Sequence, residues 1–74
     1  MKEIQLNSWT EFKEICLAKK KLKVQCVVFP KRKEYHIFAV EDRIYWFVNL
    51  FVEEDIADFE KNYRKGANRR ISGK

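Results

Sequence analysis

Residues 35–52 read YHIFAVEDRIYWFVNLFV. Two runs rich in aromatic and β-branched residues flank a pair of acids, Glu41 and Asp42. That is the pattern of two strands joined by a tight turn. With Glu41-Asp42 as a two-residue turn, Val40 pairs with Arg43, Ala39 with Ile44, Phe38 with Tyr45, Ile37 with Trp46 and His36 with Phe47. No glycine is present there to take a positive φ, so Asp42 has to take it. Side chains alternate along a strand, and the hairpin therefore sorts its residues into two faces. Tyr35, Ile37, Ala39, Ile44, Trp46 and Val48 form an apolar floor; His36, Phe38, Val40, Arg43, Tyr45, Phe47 and Asn49 form the other face.

Upstream, LKVQCVVF (22–29) alternates in the same way and stops at Pro30, with the basic loop PKRKE behind it. It sets Val24, Cys26 and Val28 on the floor, and Val27 and Phe29 beside the second face. Ser8 with Glu11 three positions on is a capping-box start. Trp9, Phe12, Ile15, Cys16 and Lys19 then share one stripe, so an amphipathic helix runs from about Trp9 to Lys20 and lies on the floor. KEIQL (2–6) reads as a short edge strand. The expected core is Trp9, Phe12, Ile15, Cys16, Val24, Cys26, Ile37, Ile44, Trp46 and Val48.

The expected fold class is α+β: one helix packed on a small antiparallel sheet in the order β-α-β-β-β, with a short C-terminal helix or arm. Residues 1–65 make a single domain and residues 66–74 a basic arm carrying Arg69, Arg70 and Lys74. A chain of 74 residues buries only about 60% of its unfolded surface, so its aromatic residues must supply much of the core. The second face, with Val27, Phe29, Phe38, Tyr45 and Phe47, is too aromatic for a surface meant only for water. Either another protein subunit covers it, or EEDIADFEKNY (53–63) folds back over it with Ile56, Phe59 and Tyr63.

The formal charge is +5 and the basic residues are clustered, Lys19 to Lys33 carrying no acid and the chain after Glu60 none either. An acidic partner is one implication. Basic loops beside exposed rings are also how small sheet domains stack single-stranded bases, although RIYWFVNL (43–50) lacks the glycine of an RNP run. Nucleic-acid binding is the alternative function. His36 is the sole histidine, Cys16 and Cys26 read as reduced core residues, and no nucleophile, phosphate loop or metal-ligand set accompanies them. No catalytic residue, metal or cofactor is expected, and no run approaches the ~20 apolar residues of a membrane span.

Two motifs carry a resemblance. SWTEFKEI (8–15) and DFEKNYRKGAN (58–68) resemble landmarks of a small phage virion domain: a strand, a W-x-x-F-K helix, a three-strand meander and a closing D-F-E-x-N-Y-K-x-x-A-N. Asp58, Phe59, Glu60, Asn62, Tyr63, Ala67 and Asn68 match, with Arg64 in the lysine position. The resemblance implies a non-enzymatic structural or assembly protein of a tail, baseplate or head, made in the host cytoplasm and residing in the virion. Its implied partners are other phage structural subunits or further copies of itself. Asp58, Phe59 and Tyr63 are expected to dock the C-terminal segment, and Arg69, Arg70 and Lys74 to order against a partner's surface.

Overall fold

The computed structural model describes residues 2–19, 22–63 and 68–71, the last of these as backbone alone. The elements run β1 (Lys2–Gln5), α1 (Trp9–Ala18), β2 (Lys23–Phe29), β3 (Glu34–Glu41), β4 (Ile44–Leu50), α2 (Glu53–Asn62) and β5 (Asn68–Ile71). The fold is α+β, with α1 following the first strand and a second helix near the C-terminus.

The hairpin forms with its turn one residue later than the sequence suggests. Asp42 and Arg43 occupy the turn with φ of 50° and 64°, the left-handed pair that a type I′ hairpin requires. The register becomes Glu41 with Ile44, Val40 with Tyr45, Ala39 with Trp46, Phe38 with Phe47 and Ile37 with Val48. Moving the turn by one residue slides each partner by two. Side chains alternate with period two, so the faces stay as expected although every expected pairing is replaced. The β2–β3 connection is a four-residue loop (30–33) in which Lys33 also takes a positive φ, 54°.

The sheet is five-stranded in the order β1-β4-β3-β2-β5. Its middle is antiparallel, as expected, but both outer strands join in parallel, β1 to β4 and β5 to β2. The sheet is therefore mixed. Residues 68–71, expected in a free arm, instead extend the sheet, with Cα partners from Gln25–Asn68 to Val28–Ile71. The sheet thus runs past the expected boundary at residue 65. Lys20, Lys21, residues 64–67 and residues 72–74, including Lys74, lie outside the described residues.

Ser8 caps α1, its hydroxyl accepting the Glu11 amide at 3.2 Å. The Glu11 carboxylate accepts from the amide of Asn7, one residue earlier than the reciprocal partner expected. At the other end Lys19 is the cap, so α1 ends two residues before Lys20. Helix α2 has no side-chain cap, but Glu53, Glu54 and Asp55 in its first turn complement the exposed amides and the dipole.

The core is Leu6, Trp9, Phe12, Cys26, Val28, Ile37, Ala39, Trp46, Val48, Leu50 and Phe59, with Ile15, Cys16, Val24 and Ile44 packed at its margin. Every expected core residue lies in or against this cluster. Leu50 and Phe59 are outside the expected core set: Phe59 is expected as a docking residue of the C-terminal segment and is buried, while Leu50 is buried at the end where α2 meets the sheet.

The topology also decides which face of the sheet stays open. β1 and β2 run parallel with β4 and β3 between them, and so do β4 and β5 with β3 and β2 between them. Both crossovers travel in the same direction across the sheet. Crossovers of one hand that travel in one direction put their helices on one face. Accordingly α1 and α2 share the floor, with Trp9 of α1 touching Phe59 and Tyr63 of α2. The fold-back of 53–63 therefore covers the floor, not the second face.

Candidate functional site

The face opposite the helices is built from alternate residues of four strands. β2 supplies Gln25, Val27 and Phe29; β3 supplies His36, Phe38 and Val40; β4 supplies Tyr45, Phe47 and Asn49. Glu3 and Gln5 of β1 continue it, since Ile4 packs into the core on the other side. The face rings touch one another. Phe38 and Tyr45 stack with centroids 5.4 Å apart, and Tyr45 and Phe47 are tilted at 5.5 Å. Phe29 lies 4.4 Å from the His36 imidazole and carries the Arg32 guanidinium at 5.1 Å on its ring. Most of these residues are half-buried by their neighbours alone, and Val40 is 39% exposed.

Charge on this face is confined to its borders. Glu34 stands 4.0 Å from Arg32 and 3.5 Å from His36 Nε2. That Nε2 is nonetheless buried without a hydrogen bond. Burial, reinforced by the nearby Glu3 carboxylate, pushes the Tyr45 phenol above its ordinary pKa, so its hydroxyl remains a neutral donor. Rings, one imidazole and amides can bind by stacking, burial and hydrogen bonding.

All five residues expected at an interface, Val27, Phe29, Phe38, Tyr45 and Phe47, are thus brought onto one face. Asp58, Phe59 and Tyr63 are placed on the opposite side of the sheet. There the two motifs meet. Asp58 Oδ2 accepts from Trp9 Nε1 at 2.8 Å and from Lys13 Nζ at 2.9 Å, and Oδ1 accepts from Asn62 Nδ2 at 2.6 Å. The Tyr35 hydroxyl donates to the Glu60 carboxylate. Trp9 stacks on Phe12 and meets Phe59 and Tyr63 edge-on. Trp9 and Lys13 of the first motif and Asp58, Phe59 and Tyr63 of the second therefore form a clasp between α1 and α2, while Glu60 ties α2 to β3. Hydrogen bonds from Lys13, then Trp9 and Asn62, hold the Asp58 carboxyl at about 2. Arg69 and Arg70 lie on β5 opposite Cys26 and Val27 by backbone register.

Sequence reasoning missed Glu3 and Gln5 as members of the open face, and Lys13 as a partner of Asp58. The first depends on the parallel β1–β4 pairing, which has no local signal. The second had one, since Lys13 is the lysine of the W-x-x-F-K motif.

On the floor side, an apolar groove of about 460 Å³ lies between the β2–β3 loop and α2, with Val28, Pro30, Tyr35 and Ile56 among its walls. Cys16 and Cys26 are not joined in a disulfide, and burial raises the Cys16 thiol pKa. Among the described residues no His, Cys, Asp and Glu cluster suited to a metal occurs, and no helix is long and apolar enough to cross a membrane. No protein-family model matches the chain, and no curated protein matches it.

Proposed function

We propose that this chain is a non-enzymatic structural or assembly protein that binds another protein subunit through the open face of its sheet. The observation that carries this reading is the aromatic face left bare by two helices that both lie on the other side. Rings are enriched at protein interfaces because they bury a large area at low entropic cost. A phage virion is the setting that the W-x-x-F-K and D-F-E-x-N-Y motifs suggest. Those residues build the interhelix clasp, so they bear on kinship of fold, while the sheet face bears on the binding role.

Hydrogen exchange on the isolated chain and on its assembled form tests the proposal. Amides of β3 and β4, already paired within the sheet, should exchange more slowly still on assembly than in the isolated chain diluted to a monomer, and mass spectrometry of purified particles should find the chain in stoichiometric amount. Equal protection in both states would refute the reading. The second reading, a nucleic-acid platform, draws on Arg32 over Phe29 beside the Lys31–Lys33 loop. It requires salt-sensitive binding of single-stranded oligonucleotides, weakening as phosphate-contacting cations are removed.

A further inference from the structure

Strand register arranges the open face in rows that cross the sheet. Over β1, β4, β3 and β2 one row reads Glu3, Tyr45, Val40, Lys23, and the next reads Gln5, Phe47, Phe38, Gln25. A third runs from Asn49 through His36 to Val27. Apolar groups hold the middle, while the first row ends in an acid at one border and a base at the other.

This arrangement is complementary to itself. A two-fold axis lying in the interface, parallel to the strands and between β3 and β4, turns each row onto its own reverse. Tyr45 then meets Val40, Phe47 meets Phe38 and Gln5 meets Gln25. Glu3 meets the partner's Lys23, and the pair occurs twice by symmetry, as an isologous contact demands. In the third row the half-buried His36 meets the exposed Asn49. Two twisted sheets stack in this aligned manner at about 10 Å, close enough for the rings to interdigitate.

We propose that the occupant of the open face is a second copy of this chain, packed sheet on sheet about that two-fold axis. This rests on the reading of the face as a protein interface, and it names the partner. The contact is a sandwich of two mixed sheets with all four helices outside.

Sedimentation equilibrium of the full chain, from micromolar to near-millimolar concentration, tests it. A monomer–dimer equilibrium is expected, together with a series of charge exchanges. Glu3→Lys and Lys23→Glu each set like charges opposite one another at two symmetric places, and each should weaken the dimer by about tenfold or more. The combined Glu3→Lys/Lys23→Glu chain should return to within about threefold of the unmodified protein. Thermal melts check that each variant folds, which substitutions at exposed border residues favour. A dimer indifferent to the charge exchanges, or a chain monomeric throughout, overturns the two-fold contact. The interface reading itself is judged apart from this by Phe38→Ser/Phe47→Ser. Loss of incorporation into particles by that variant, with a monomeric parent, would retain the interface and reject self-pairing. Unimpaired incorporation would remove both.

Discussion

At the scale of single residues, Asp58 joins the two halves of the chain. Three donors from Trp9, Lys13 and Asn62 converge on one carboxylate, and its side chain is 29% exposed. Hydrogen bonds to a charged acceptor are the stronger kind, but partial exposure discounts them. Asp58→Ala should therefore destabilise the fold by about 1–2 kcal/mol. The pH dependence has a definite sign. The folded pKa, about 2, lies below the ordinary 3.8. The stabilisation is thus fully present above the unfolded value and is lost as pH falls through the folded one. Thermal melts between pH 4 and 2 should show Asp58→Asn losing less stability on acidification than the parent, and parallel curves would refute this origin. The acid was legible in its motif. Asn62, four residues on in the same motif, is legible with it, but the meeting with Trp9 and Lys13 is not, because those two reach it only through the packing of α1 against α2.

At the scale of elements, the β3–β4 hairpin illustrates what alternation can and cannot fix. Alternation assigned every residue to the correct face. It could not locate the turn, because EDR offers no glycine and both Asp42 and Arg43 accept the left-handed conformation. A non-glycine residue there bears a steric cost, least for Asn and Asp. The double substitution Asp42→Asn/Arg43→Gly supplies the Asn-Gly pair that type I′ favours. It should stabilise the domain by about 1 kcal/mol, raising Tm by roughly 4–8 °C in a domain of this size. A lower Tm would mean that the Arg43 side chain contributes more than its backbone costs.

At the scale of the whole molecule, β5 changes the expected effect of truncation. A free arm could be removed without consequence. As an edge strand paired to β2, it protects backbone groups that would otherwise face water. Deleting residues 67–74 should speed hydrogen exchange of β2 amides and lower Tm, while β3 and β4, central in the sheet, keep most of their protection. Unchanged β2 exchange would show that the β5 pairing contributes little in solution.

The sequence by itself determined the local features of this protein. Period-two alternation gave β2, β3 and β4 their two faces, a Ser-x-x-Glu start and a helical stripe gave α1, and acids followed by spaced aromatics gave α2. Those signals arise from side chains a few residues apart, where backbone geometry fixes who is neighbour to whom. Only the tertiary structure decided the parallel pairing of β1 with β4 and of β5 with β2 and the meeting of Asp58 with Trp9 and Lys13. It also decided which face α2 covers. That choice follows from the order of strands across the sheet and the shared hand of two crossovers, properties of the path of the whole chain that no short window of sequence contains.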